Sequence, residues 1–260
     1  ISCQQGMKAP EGKTVFRYNE SAGISSLDPA FARDQANIWA DNQLYNGLVQ
    51  LDSNLHIKPC LAKYWQILNQ GKTYRFTLRD DVYFHQSEVF AHGEGRKMTA
   101  RDIEYSLQRV LNPKTLSPGA VWLNNVVEQY DLGNFKIFAE SDTVLIIQLK
   151  EAFSPFLGRL SMPYFSVVPR EAVDKYGPDF SRNPVGTGPF YLKMWKEGVK
   201  MVLLKNDHYF EKENGISLPF LDAVAISFII DKQSVFLEFV KGNIDFMSGI
   251  DASYKDELLL

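Results

Sequence analysis

The segment from Asn183 to Phe210 constrains the fold more than any other part of the sequence. Its entry combines two prolines with two glycines, which predicts a rigid, sharply turned backbone: Pro184, Gly186, Gly188 and Pro189. From Phe190 to Trp195 the side chains then alternate with the period of a strand. A turn at Glu197 and Gly198 leads into a second apolar run, Val199 to Leu204. The segment therefore predicts a β-hairpin with a conformationally demanding entry.

The composition is that of an ordinary globular protein. Of the 260 residues, 45% are hydrophobic and 23% charged, which is enough for a sizeable core and for more than one domain. The net charge of −3 gives no basic footprint, so nucleic acid is not an expected partner. The apolar runs, such as Val144 to Ile147 and Ala223 to Ile230, are too short to span a membrane.

The two cysteines, Cys3 and Cys60, do not form a disulfide framework. Cys60 is interpreted as a small buried thiol. Ile-Ser-Cys followed by Gln-Gln-Gly is similar to the end of a bacterial lipoprotein signal, with Cys3 as the acylated residue. The alternative is a stray cysteine in a disordered terminus. Because the chain starts at Ile1, we expect an upstream segment to have been removed, and residues 1–13 to be a signal remnant and tether.

Motifs for catalysis are missing from the sequence. There is no nucleophile elbow and no Cys/His dyad, and Gly186-Thr-Gly188 is not followed by the Lys-Ser/Thr of a phosphate-binding loop. His85, Glu88 and His92 look like a ligand cluster, but their spacing is not that of a helical zinc motif. We therefore expect a solvated loop there, and we predict no catalytic residue, no metal and no cofactor.

Periodicity predicts several further elements. The strongest helix runs from Thr99 to Leu111, with Thr99 as N-cap and Asp102 at N3 in a capping box. Other helices are predicted at Arg33 to Leu48, Ser154 to Leu160, 169–177 and Gln233 to Lys241. Strands are predicted at Thr14 to Tyr18, Leu48 to Leu51, Thr73 to Leu78, Phe135 to Glu140, Val144 to Leu149, Phe165 to Val168 and Val224 to Ile230, with one more beginning in Gly242 to Phe246.

Beyond these patterns, the sequence resembles a known family. Pro-Val-Gly-Thr-Gly-Pro-Phe at 184–190, followed by Trp195 and Asn206-x-x-Tyr-Phe, is similar to the signature of family 5 extracytoplasmic solute-binding proteins, the oligopeptide and dipeptide receptors of ABC importers. Four other segments agree with it: Ser-Leu-Asp-Pro at 26–29, Tyr-Asn-Gly-Leu at 45–48, Met-Thr-Ala-Arg-Asp-Ile at 98–103 and Gly-Asn-Ile-Asp at 242–245. The resemblance runs from about Thr14 to the end of the chain.

The resemblance implies an α/β, periplasmic-binding-protein-like fold of class II, peptide-binding type. In this fold a split first domain, residues 14–46 and 165–260, surrounds an inserted second domain, residues 47–164. Members of the family continue for about as many residues again, so we expect the second lobe to be missing from this sequence.

The resemblance also implies a function without chemistry. The protein would capture peptides outside the cytoplasmic membrane and deliver them to the membrane subunits of an ABC importer, as a lipid-anchored monomer. The loop after the first strand would line the ligand cleft, which makes its central residues candidates: Ser21, Ala22, Gly23, Ile24 and Ser25. For the serines the alternative is turn and capping chemistry. Tyr45 and Trp122 are further candidates, and for Trp122 the alternative is a place in the core.

Other functions stay open at this stage. Members of the family can bind a nickel complex, haem or an oligosaccharide instead of a peptide. A histidine of the 85–92 loop in the cleft would favour a metal complex, and a row of exposed tryptophans would favour sugar. Outside the family, the chain could be a hydrolase, with Ser21, Ser25 or His85 essential, or a purely structural surface lipoprotein.

Overall fold

The computed structural model describes residues 12–131 and 133–249, which form two compact units. The described parts of the smaller unit are residues 12–25, 192–205 and 219–249. The larger unit comprises residues 26–191 and 206–218. Cys3 and the last part of the chain lie outside the described residues.

The smaller unit is organised around a four-stranded sheet. Strand β1 (Val15–Asn19) pairs in parallel with β14 (Ala223–Ser227), which pairs antiparallel with β11 (Lys200–Lys205). Strand β10 (Phe190–Lys196) completes the order β1-β14-β11-β10, so the predicted hairpin is confirmed. Helix α5 (Lys232–Val240) follows β14, with Asp231 as its N-cap.

The larger unit contains a second four-stranded sheet, which one helix covers. Its strands are β4 (Ala62–Leu68), β5 (Thr73–Leu78), β8 (Ile137–Ser141) and β9 (Val144–Gln148). Across the sheet they have the order β4-β5-β9-β8. Helix α2 (Ala100–Leu111) packs on β8 and β9.

The local signals for α2 are confirmed. Thr99 and Asp102 form the predicted capping box, in which the Thr99 N–H donates to the Asp102 carboxylate at 2.8 Å. The apolar stripe Ile103, Leu107 and Val110 is buried at 0–2% exposure. Burial of each such side chain contributes about 1.5–3 kcal/mol, which fixes the helix on the sheet.

Shorter elements complete the larger unit. The helices are α1 (Gln35–Leu44), α3 (Phe156–Leu160) and α4 (Arg170–Tyr176). The remaining strands are β2 (Val49–Leu51), β3 (Ile57–Pro59), β6 (Gln129–Asp131), β7 (Asn134–Phe135), β12 (Lys212–Glu213) and β13 (Ile216–Ser217). Single 3₁₀ turns at Pro29–Phe31, Pro118–Trp122 and Pro163–Phe165 lie between them.

Three predictions about elements are wrong or need correction. Phe165–Val168 is not a strand, because Phe165 ends a 3₁₀ turn and residues 166–168 pair with no strand. Gly242–Phe246 is not a strand: Phe246 forms an isolated bridge to Tyr18, and the Asp245 N–H donates to Arg17 O of β1 at 2.8 Å. The first helix is shorter than predicted, since Asp34 caps its start and Tyr45 is already extended.

The contacts group the chain differently from the predicted domains. Residues 26–46 and 165–191, which were assigned to the split domain, cluster with the larger unit. One reason is a set of bonds from these segments to residues 47–164, such as His85 N–H to Gly186 O at 2.8 Å and Val168 N–H to Ser106 Oγ at 3.0 Å. The split-domain arrangement remains a prediction.

Candidate ligand-binding site

The loop after β1 is fixed to the end of β14 at its first residues. The Asn19 side chain donates to Ile229 O at 2.9 Å and accepts from the Ile229 N–H at 2.8 Å. The Glu20 N–H donates to Ser227 O at 2.9 Å, and Gly23 turns the chain at φ +73°. The candidate residues therefore start from a well-anchored position.

Three of the five candidate residues of this loop face outward. Ser21, Ala22 and Ser25 are exposed, whereas Ile24 is buried at 4% exposure and Gly23 is half-buried. Ser21 borders a small cleft of about 70 Å³. The other lining residues are Asn19, Ile230, Lys232, Val235, Met247, Ser248 and Gly249. The cleft offers a hydroxyl group and a lysine ammonium to a polar ligand.

In the larger unit, the Gly186-Thr-Gly188 motif lies against the carboxyl end of α1. A β-carbon on Gly186 would meet Leu44 O at 2.0 Å, and one on Gly188 would meet Leu44 C at 2.4 Å. Only glycine permits this approach. The turned entry predicted from sequence therefore serves a close backbone contact.

His85 binds this motif on both sides of its ring. The Gly186 N–H donates to Nδ1 at 3.3 Å, and Nε2 lies 3.0 Å from Gly188 O, so these partners assign the neutral tautomer with its proton on Nε2. His85 is 5% exposed, and burial lowers its pKa from 6.5 to about 4. The expectation of a solvated loop is thus wrong for this residue.

His85, Glu88 and His92, which look like a ligand cluster in the sequence, have other partners or face solvent in the structure. Both ring nitrogens of His85 are used by the backbone, and Glu88 pairs with Lys175 at 3.0 Å. His92 is exposed at a left-handed turn, φ +59°. Across residues 12–131 and 133–249, no group of three or more His, Cys, Asp or Glu side chains could hold a metal ion.

A polar network that the sequence did not reveal joins the two motifs of the family signature, residues 184–190 and residues 206–210. Thr187 Oγ1 donates to Asn46 Oδ1 at 3.0 Å, and the Asn46 amide donates to the Tyr209 hydroxyl at 3.2 Å. Tyr209 in turn donates to Glu211 at 3.0 Å. Asn206 donates to Gly188 O at 3.0 Å. The motif residues that were read as a signature therefore hold each other in place.

Tyr45 is buried and its hydroxyl is used inside the protein. It is 3% exposed and donates to Leu27 O at 2.7 Å; burial, with the nearby Asp41 and Asp28 carboxylates, raises its pKa well above the ordinary range. It also borders a cleft of about 370 Å³ whose lining includes Asn46, Gln50, Cys60, Met162 and Ser166. Contact between Tyr45 and a ligand stays a prediction.

Beside Tyr45 lies a buried ion pair that sequence reasoning missed. Arg109 of α2 donates to Asp28 through both terminal nitrogens, at 2.9 and 2.5 Å, and their side chains are 13% and 6% exposed. Asp28 also accepts from the Ala30 N–H at 3.1 Å. The Ser-Leu-Asp-Pro motif was a signal for this role, but its partner is 81 residues away.

Trp122 is not a core residue. It ends the 3₁₀ turn Pro118–Trp122 and its side chain is 40% exposed, so it could cover an apolar group of a ligand. Its carbonyl accepts from Arg159 at 2.5 Å. Trp122 belongs to the larger unit and the Ser21–Ser25 loop to the smaller one.

A search of the described ranges for membrane-crossing helices found none of sufficient length and apolarity.

Comparison with protein-family models gives one match. Residues 56–259 fit the model described as the bacterial extracellular solute-binding proteins, family 5.

Curated relatives that match most of the chain include the following two proteins. A probable deoxycholate-binding periplasmic protein of Escherichia coli is 30% identical over 213 residues, which is 78% of this chain and 38% of that protein. The dipeptide-binding protein DppE of Bacillus subtilis is 29% identical over 260 residues, 95% of this chain and 45% of that protein. The chain thus spans less than half the length of these relatives.

Among solved structures, the chain is similar to the periplasmic binding protein DppA of Helicobacter pylori in complex with the peptide STSA. The two superpose with a TM-score of 0.81 at 28% identity, over 94% of this chain and 48% of that one.

Proposed function

Because the chain belongs to family 5 of the bacterial extracellular solute-binding proteins, with the class II periplasmic-binding-protein fold, we propose that it captures peptides for an ABC importer. It would bind them outside the cytoplasmic membrane and deliver them to the importer's membrane subunits. The proposed activity is binding without catalysis.

One observation carries the peptide proposal. The solved neighbour that matches 94% of this chain at a TM-score of 0.81 holds a peptide, STSA. The dipeptide-binding relative, 29% identical over 95% of this chain, supports the same ligand class. Family membership alone supports a ligand but does not choose among peptides and other solutes.

The geometry of the smaller unit fits this ligand class. We propose that Ser21, Ala22 and Ser25, which are exposed, contact the peptide through main-chain and hydroxyl groups. Such groups bind an extended backbone with little preference for side chains. The bonds of Asn19 to Ile229 hold this loop at the end of β14 before a ligand arrives, which reduces the entropy lost on binding.

We also propose a membrane anchor. Acylation of Cys3 would tether a monomer to the membrane without a spanning helix. The support is the sequence around Cys3, which itself lies outside the described residues.

Native mass spectrometry of the gently purified, natural-length protein tests the peptide proposal. A second spectrum, taken after denaturation, gives the mass of the protein without its ligand. We expect released masses of a few hundred daltons that fragment as peptides. An apo mass that persists after incubation with a mixture of di- to pentapeptides would count against peptide capture.

A second candidate is a non-peptide organic acid. The observation in its favour is the Escherichia coli relative, 30% identical, whose name gives deoxycholate as its ligand. The same spectrum separates the two: a released steroid or other non-peptide acid would keep the transport role and change the substrate class.

A further inference from the structure

Arg159 of α3 is held between two aromatic rings. Its guanidinium carbon lies 4.3 Å from the centre of the Phe153 ring and 5.8 Å from that of the Trp122 ring. Its Nη1 donates to Trp122 O at 2.5 Å. Guanidinium has five N–H donors, so this bond leaves most of them for another partner. The rings hold the cation in one orientation.

A second cation, Lys150, binds the backbone just after Trp122. Its ammonium group donates to the carbonyl oxygen of Asn124, which lies two positions after Trp122, at 3.2 Å. In the described part of the chain, no carboxylate lies within ion-pair distance of Arg159 or Lys150.

Other arginines of the same unit are neutralised. Arg96 pairs with Asp102 and Glu171, each at 2.6 Å, and Arg109 pairs with Asp28. Arg75, Arg79 and Arg170 also have a carboxylate at 2.6–3.0 Å. Arg159 differs from these five arginines, because two rings and a carbonyl position it and no acid does.

The loop that presents Trp122 is built rigidly. Ser117 donates to Ala30 O at 2.5 Å and accepts from the Gly119 N–H at 3.1 Å. Gly119 lies so close to the Tyr164 ring that a β-carbon would meet it at 2.6 Å. Apolar side chains are nevertheless turned outward here: Leu116, at φ +56°, is 82% exposed, Val121 58% and Trp122 40%.

We propose that Arg159, Lys150 and Trp122 form a carboxylate-binding site for the ligand. The guanidinium fork would take the carboxylate in a bidentate geometry, Lys150 would add charge, and the exposed face of Trp122 would cover the adjoining apolar group. The inference rests on the proposed function and deepens it. The carboxylate could be the C-terminus of a peptide or belong to a non-peptide apolar acid.

A purely structural role makes a different prediction. If Arg159 only binds the Trp122 carbonyl at the end of the 3₁₀ turn, its replacement lowers stability and leaves any preference for acids unchanged. Preference for a free acid over its amide is therefore the informative readout.

The experiment uses the natural-length protein and three probes: the tripeptide Ala-Phe-Leu, its C-terminal amide, and decanoate. Affinities are measured by isothermal titration calorimetry for the wild type, Arg159→Gln, Arg159→Lys and Lys150→Gln. The control is Arg101→Gln, which replaces an exposed arginine on α2. Thermal unfolding of each variant shows that it is folded.

We expect the wild type and the control to prefer the free acid over the amide by about 10- to 100-fold, the range of a charge-assisted hydrogen bond. Arg159→Gln should abolish that preference, Lys150→Gln should reduce it, and Arg159→Lys should restore part of it. A third outcome is that the wild type binds decanoate but not the tripeptide, and that Arg159→Gln weakens decanoate binding. This outcome would support the site and assign it to non-peptide acids.

Two outcomes overturn the site, and they separate it from the proposed function. Equal affinities for acid and amide, unchanged in Arg159→Gln, would leave peptide capture standing and refute the carboxylate site. Failure of the wild type to bind any of the three probes at millimolar concentration would refute both.

Discussion

Acidification is expected to destabilise this protein through His85. The folded protein keeps this ring neutral, with a pKa of about 4 against an ordinary value of 6.5, because it is buried. The bonds to Gly186 and Gly188 suit only the tautomer with its proton on Nε2. A proton on Nδ1 would face the Gly186 N–H, so the imidazolium would lose a bond and meet another donor.

The magnitude follows from these two pKa values. Between them the unfolded chain binds a proton that the folded protein does not bind. The contribution of His85 to the free energy of unfolding therefore falls by about 1.4 kcal/mol for each pH unit below 6.5. Two units of acidification remove about 2.7 kcal/mol of this contribution, which is large against the stability of an ordinary domain. The loss continues until the pH reaches the folded-state value near 4.

Urea unfolding of the wild type and of His85→Gln, followed from neutral pH down to the folded-state pKa of His85, measures this contribution. We expect His85→Gln to be less stable at pH 7 by about 1–3 kcal/mol, because buried backbone groups lose a partner. Its slope of stability against pH should be smaller than that of the wild type by about 1.4 kcal/mol per pH unit. His208→Gln, which changes an exposed ring, is the matched control.

Equal slopes for His85→Gln and the wild type would refute the reasoning. A titration of the His85 ring resonances by NMR gives an independent answer, since this ring should stay neutral until the pH falls to about 4. An ordinary titration of His85 in the folded protein would mean that the ring is not enclosed by the glycine motif as described.

Three further perturbations test the buried contacts of the larger unit. Asp41 has both carboxylate oxygens buried without a hydrogen-bond partner among the described residues, and burial raises its pKa well above 3.8. Above pH 3.8 its contribution to stability should therefore fall by about 1.4 kcal/mol per pH unit, up to the raised pKa. Urea unfolding of Asp41→Asn should lack this slope. An unchanged slope would contradict the assignment. Gly188→Ala places a methyl group 2.4 Å from Leu44 C and should lower the free energy of unfolding by about 1–3 kcal/mol. A midpoint of thermal unfolding equal to that of the wild type would argue against the close contact. Asp28→Ala leaves the largely buried Arg109 without its partner and should lower stability by about 3–5 kcal/mol in urea unfolding. The double variant Asp28→Ala/Arg109→Met should partly relieve this loss if the unpaired charge is its cause.

Features with a local cause could be predicted from the sequence. The capping box of Thr99 and Asp102 joins residues three positions apart, and the hairpin of β10 and β11 follows from alternation within two short runs. The family-like block predicted the fold class, which the match over residues 56–259 confirms. These signals are sufficient because the groups that interact are close in the chain, whatever the rest of the molecule does.

Which side chains are enclosed, and what they bind, depends on the tertiary structure. The sequence indicates that His85 is a loop residue. In the structure its ring is buried because it binds Gly186 and Gly188, which follow more than 100 positions later. Arg109 looks like one of many helix-surface cations until Asp28, 81 positions earlier, reaches it. Trp122 could have entered the core, but it lies at the surface beside Arg159, at the end of a turn whose Gly119 packs on Tyr164. Burial and charge pairing depend on which distant segment packs alongside, and a sequence pattern with a period of two or four residues carries no information about that choice.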